Sequence, residues 1–213
     1  MLTFGVKAPD FAQTKQLLGH IPGAAEKAIS RAINRAITTA NTEAIRGAKE
    51  RYTISDSELR KGIKIVKAGP QRLHATLIAT SSMLRMVKFK VSKGPLVEVL
   101  KGKAKTFPHA FISRVTGPNG GTHYGLWARE KEFTVPKQGK YAKRKKQEAT
   151  RGTSRSAKGE RMKRQNIVEV LTVSNPEMLG HYEVIERTME LAGERLDAEL
   201  ARQVDLFLTG KVK

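Results

Sequence analysis

The absence of cysteine excludes thiolate nucleophiles and thiolate metal sites, which turns the search for chemistry to the histidines and carboxylates. The five histidines are His20, His74, His109, His123 and His181. No two stand at the His-x-x-x-His spacing that puts two imidazoles on one helix face for a metal ion. His109 and His123 flank a central hairpin-like segment, and the pattern allows them to approach each other. No carboxylate is spaced to orient either ring for acid–base work. The run Gly117-Pro118-Asn119-Gly120-Gly121 lacks the Gly-Lys-Ser/Thr ending of a phosphate-cradling loop and carries the residue types that turns require. No nucleophile elbow, dinucleotide fingerprint or carboxylate pair for two-metal hydrolysis is visible. The pattern predicts a non-enzymatic chain with no catalytic residue, no metal site and no cofactor.

Positive charge is the stronger signal. The 213 residues carry a formal net charge of +20. Residues 1–130 hold 22 Lys/Arg and 8 Asp/Glu, residues 131–164 hold 13 and 3, and residues 165–213 hold 5 and 9. Such an excess points to a phosphate-rich polyanion as partner. It concentrates in residues 137–164, where Lys143, Arg144, Lys145, Lys146, Arg151, Arg155, Lys158, Arg161, Lys163 and Arg164 are separated mainly by Gly, Ser and Thr. Only Tyr141 and Met162 there are large and apolar, so the segment cannot bury enough surface to offset chain entropy. The expectation is a flexible basic arm whose ten cations are the candidate nucleic-acid-binding residues. A plain solvated linker is the alternative.

The elements that would position this charge follow from periodicity. Residues 23–51 repeat Ala and Ile at three- and four-residue steps behind Pro22, a helix-start residue. Ser55 and Glu58 stand at capping-box spacing before a short helix ended by Gly62. The period then becomes two: Ile63 and Ile65, Leu73 to Ala79, Val87 to Val91 and Val97 to Val99 read as strands, with lysines on the wet face. Residues 110–115 and 122–129 read as a hairpin, and 167–173 as a further strand. From Ser174 a helix of about 30 residues follows, with Gly193 marking a bend or a close crossing. Its seam of Tyr182, Ile185, Met189, Leu196, Leu200, Val204 and Phe207 is close to a heptad repeat and is the candidate subunit interface. The helix is acidic and the remainder basic, which suits contact between one subunit's helix and the next subunit's sheet. The expected fold is α+β: an antiparallel sheet packed by a long N-terminal and a long C-terminal helix. Residues 1–136 and 165–213 would form one domain, with 137–164 inserted in it. Residues 1–10 show no secretory signal, and no window is apolar enough to cross a bilayer, so no membrane partner is expected.

The order of these elements resembles the minor tail protein Z family of lambda-like phages. The resemblance rests on Gly-Ala-Ala-Glu-Lys-Ala-Ile-Ser-Arg-Ala-Ile-Asn-Arg-Ala at 23–36 and Ser-Glu-Leu-Arg-Lys-Gly-Ile at 57–63. It continues in Pro108-His109-Ala110-Phe111-Ile112, in His123-Tyr124-Gly125-Leu126-Trp127-Ala128-Arg129, and in Pro176-Glu177-Met178 before the last helix. It implies a structural subunit acting late in tail maturation, in a ring of six copies at the head-proximal end of the tail. Its implied partners are copies of itself, the tail terminator, other neck or tail proteins and the phage genomic DNA. Its implied location is the virion, after assembly in the host cytoplasm. The family has no catalytic residues to carry over. A stand-alone nucleic-acid-binding protein is the competing expectation, although aromatics make up only 6% of the chain and are scattered, which is unlike a stacking face. A nuclease or maturation enzyme working through His109 or His123 is a remote third.

Overall fold

The computed structural model describes residues 1–6, 11–92, 96–116, 121–129, 142–143 and 167–210. The first half runs β1 (Leu2–Val6), α1 (Ala12–Leu18), α2 (Ala24–Arg51), α3 (Asp56–Lys61), β2 (Ile63–Val66), β3 (Ala75–Ala79), β4 (Leu84–Arg85) and β5 (Lys90–Val91). There follow β6 (Leu96–Leu100), β7 (Lys103–Thr106), β8 (Ala110–Thr116), β9 (Thr122–Arg129), β10 (Ala142–Lys143), β11 (Ile167–Thr172), α4 (Asn175–Leu179) and α5 (Tyr182–Leu208). All strand pairs are antiparallel, and the fold is α+β with a long N-terminal and a long C-terminal helix. The chain folds as two compact units, where the sequence suggested one domain with an insertion. Unit 1 comprises 1–50, 59–81 and 175–213; unit 2 comprises 51–58 and 82–174.

Unit 1 is built on α2. Its Ala/Ile stripe is buried from Ala25 through Ala48, because residues three and four apart share one helix face. That face lies on the sheet β1-β3-β2, where Phe4, Leu77 and Ile65 stand in one cross-strand row. Leu196 and Leu200 of α5 join the same core. A second cluster gathers Leu18 of α1, Ala24, Ala25 and Ala28 of α2, and Val204 and Phe207 of α5. The small residues allow close approach: a Cβ on Gly47 would stand 3.1 Å from Val184 of α5. Asn34 anchors the loop before β3, its amide donating to the Ala68 carbonyl at 3.0 Å while its Oδ1 accepts from the Ala68 N–H at 2.8 Å.

Two local expectations change. The last helix is broken into α4 and α5, with His181 extended between them (ψ 134°) and the Gly180 N–H donating to the Pro176 carbonyl. It then runs through Gly193 without interruption, and Gly193 is exposed with nothing near its Cα that a side chain would meet. Val87 belongs to a 3-10 turn, Met86–Lys88, rather than to a strand, and only Lys90–Val91 pairs.

Unit 2 contains two sheets. One has the order β10-β11-β9-β8, with β4 also paired to β11; the other is β5-β6-β7. The segment 51–53 runs beside β6: the Thr53 N–H donates to the Val99 carbonyl at 3.1 Å and the Lys101 N–H to the Arg51 carbonyl at 2.9 Å. Met86, Leu126, Trp127, Val170 and Val173 are among its most deeply buried side chains. Among the described residues, no helix is long and apolar enough to cross a membrane.

Candidate nucleic-acid interface

The charge divides along the units. Unit 1 holds 17 Lys/Arg and 12 Asp/Glu; unit 2 holds 23 and 8, so unit 2 carries +15 of the +20. The basic run of the arm begins at a defined place in unit 2, because β10 pairs with β11 through Ala142↔Leu171 and Lys143↔Val170. The backbone of Lys143 is thereby fixed on the sheet. The other candidate cations, Arg144, Lys145, Lys146, Arg151, Arg155, Lys158, Arg161, Lys163 and Arg164, lie outside the described residues.

The described surface of unit 2 adds Lys101, Lys103 and Lys105, all exposed on or beside β7. Sequence periodicity does not single them out. Lys-Ala-Lys-Thr has no apolar face, so only its pairing with β6 identifies it as a strand. Two neighbouring lysines are held by carboxylates. Lys90 Nζ lies 2.9 Å from Glu98 Oε2, across a register pair of β5 and β6, and Lys88 pairs with Glu58. The Lys90 hydrogen bond, followed by the Gly102 N–H donating to Glu98 Oε1 at 2.7 Å, holds the Glu98 carboxyl below its ordinary pKa. Glu58, expected to cap α3, thus carries its carboxylate to a lysine, while the Ser55 hydroxyl lies 3.1 Å from Ser57 Oγ.

The histidine pair does not form. The hairpin register places Val115 opposite His123 and Ala110 opposite Ala128, so His109 and His123 sit at opposite ends of β8–β9. At the usual rise per residue that separates their backbones by roughly 20 Å. His123 instead neighbours a buried carboxylate: its Nε2 is 3.7 Å from Glu169 Oε2, and Arg85 Nε is 3.0 Å from Glu169 Oε1. The Arg85 approach is off-line for a hydrogen bond, so the guanidinium acts there through its charge. The indole N–H of Trp127, fully buried, donates to the Ser113 carbonyl at 3.0 Å, and the His123 and Trp127 ring centroids are 5.1 Å apart. Glu169 and Trp127 are register partners on β11 and β9. Gly125 makes room for both, since a Cβ there would stand 2.9 Å from Glu169 Oε1 and 3.1 Å from Trp127 Nε1. Among the described residues no group of three or more carboxylates and histidines is arranged to hold a metal ion.

The proposed interface seam on α5 divides in two. Tyr182 and Met189 are 71% and 62% exposed, and Ile185 is half-buried. Leu196, Val204 and Phe207 are buried in the chain's own unit 1 and Leu200 packs on the same core, which corrects their assignment to an outward seam. The stripe itself does not turn, since Tyr182 and Leu200 are eighteen residues or five full turns apart; the two halves differ in what covers them, the core of unit 1 taking in Leu196, Leu200, Val204 and Phe207 and leaving Tyr182 and Met189 exposed. What α5 does present outward is acidic. Glu186, Glu190, Glu194, Asp197 and Asp205 are exposed along it, and the Tyr182 hydroxyl donates to Glu186 Oε1 at 3.0 Å.

Comparison of the chain with protein-family models, with curated proteins and with solved structures gave no match in any of the three.

Proposed function

We propose that the chain is a structural tail-completion subunit of a long-tailed bacteriophage. It joins copies of itself in a ring, six-fold after the family it resembles, at the head-proximal end of the tail beside the tail terminator and the DNA path. It performs no catalysis. The observation that carries this reading is the segregation of charge. Unit 2 holds +15 and exposes the β7 lysines, while the exposed length of α5 is acidic. One surface suits a polyanion; the two together suit a neighbouring copy. In the ring, the 137–164 arm faces DNA or an adjacent ring, and Tyr182 and Met189 lie among the carboxylates that meet the next subunit.

Two measurements test it. Replacing Lys143, Arg144, Lys145 and Lys146 by glutamine lowers duplex-DNA affinity and flattens its salt dependence, by roughly 0.9 in the log–log slope for each phosphate no longer neutralised. An unchanged slope removes the arm from the interface. Separately, virions of the encoding phage contain the chain at low copy number. If they lack it while DNA binding persists, the stand-alone nucleic-acid-binding protein is the correct reading.

A further inference from the structure

β7 is the outer strand of the sheet β5-β6-β7, and among the described residues it pairs only with β6. All four of its residues are exposed. A strand so placed offers a row of backbone donors and acceptors to an incoming chain. Beside it lies a cleft of about 290 Å³, lined by Val97, Val99, Leu100, Lys103, Lys105 and Thr172. Val97 and Lys105 are register partners, so their side chains project on the same face. The floor is therefore aliphatic and two lysine stems form a wall. Thr172 is fully buried, and among the described residues its hydroxyl has no hydrogen-bond partner.

We propose that this edge and cleft dock an extended acidic segment of another protein, added to the sheet as a fourth strand against β7. Side chains of a strand alternate, so a Glu-x-Leu-x-Glu pattern puts both carboxylates and the leucine on one face. The carboxylates meet Lys103 and Lys105, and the leucine enters the cleft over Val97 and Val99. The lysines also disfavour edge-to-edge pairing of two copies, because like charges opposed across strands repel. The same charge selects an acidic partner. A nucleic acid fits this place less well: a phosphodiester chain has no alternating N–H and C=O groups to satisfy a strand edge, and among the described residues no aromatic ring lines the cleft for base stacking. This inference stands independently of the tail assignment and survives if virions lack the chain.

The test uses the full chain and the blocked peptide Thr-Glu-Thr-Leu-Thr-Glu-Thr, titrated calorimetrically at low salt. The peptide binds and slows hydrogen exchange at residues 103–106. Methylating alternate peptide nitrogens, which keeps every side chain and removes half of the donors, weakens binding at least about tenfold. The double variant Lys103→Glu/Lys105→Glu loses at least about tenfold for this peptide and gains affinity for the peptide carrying lysine in place of glutamate. Should that variant fail to fold, exchange at 103–106 in the unaltered chain decides alone. The proposal is overturned if N-methylation changes nothing or if the protection appears elsewhere. It is equally overturned if a thymidine octanucleotide protects the same amides and displaces the peptide.

Discussion

Asn175 ties the start of α4 to two distant segments of unit 1. Its side-chain amide donates to the Leu59 carbonyl at 3.2 Å, and its backbone N–H donates to Ser81 Oγ at 3.0 Å. Gly62 leaves the space for that amide: a Cβ there would stand 2.1 Å from Asn175 Nδ2 and 3.0 Å from the Thr80 carbonyl. Gly62→Ala therefore destabilises the chain by about 1–3 kcal/mol in urea unfolding. Asn175→Ala costs about 0.5–1.5 kcal/mol by removing one of the two hydrogen bonds that the Leu59 carbonyl accepts, the other coming from the Gly62 N–H. The double variant costs less than the sum, because shortening the side chain at 175 vacates the volume that the new methyl needs. Strict additivity in the cycle would show that the two positions do not share that volume. A second residue-scale prediction concerns Glu199, 2% exposed on α5, which accepts from Arg202 Nη2 at 2.6 Å and from Gln203 Nε2 at 2.9 Å. The Arg202 hydrogen bond is the main cause that lowers its pKa from 4.5, against the opposing effect of burial. A depressed folded-state pKa means that the unfolded chain binds the proton more readily. The stabilisation is complete above the ordinary value of 4.5 and is lost as pH falls through the lowered value. Urea melts of the protein and of Glu199→Gln between pH 3 and 6 should converge at the acid end. Curves that stay parallel would remove Glu199 from the acid response.

At the scale of elements, α5 serves its own unit along one half and faces outward along the other. Leu196→Ala empties a site shared with α2 and β3 and should cost about 2–5 kcal/mol. Tyr182→Ser and Met189→Ser, at exposed positions, should change stability by no more than about 0.5 kcal/mol yet weaken self-association measured by sedimentation. Both helices were legible in the sequence because a 3.6-residue period over 27 or 28 residues has no competing explanation. The β8–β9 hairpin and β11 were legible from alternation around turn residues. β1, α1 and β7 were not. β1 is Leu-Thr-Phe-Gly-Val, whose strand pairing depends on β3 some seventy residues later, and β7 has no buried side chain to mark its face. Of the candidate site, the arm's charge was legible and its anchoring at Lys143 was not, since β10 is two residues long and is defined by β11 alone. The division of the α5 seam was also hidden: spacing tells which residues share a stripe, not which neighbour covers it.

Across the whole molecule, the sequence of unit 2 sums to +15, and an excess of one sign repels itself at low ionic strength. Raising salt from 0.05 to 0.5 M shortens the screening length from about 14 to about 4 Å and should increase exchange protection at Leu126 and Trp127. Unit 1, with 17 cations against 12 anions, should respond less. The path of the chain has another consequence. Unit 1 is discontinuous, and the helix that completes its core lies on the far side of unit 2 in sequence. During synthesis the isoleucine stripe of α2 leaves the ribosome well before Leu196, Val204 and Phe207 exist to cover it. At ordinary elongation rates that interval is on the order of ten seconds. Unit 2 can complete itself within the wait, while unit 1 remains a sticky intermediate for which holding chaperones compete with early aggregation. Yield in the cell should therefore follow the speed of translation through residues 82–174 more closely than it follows the stability of the finished fold.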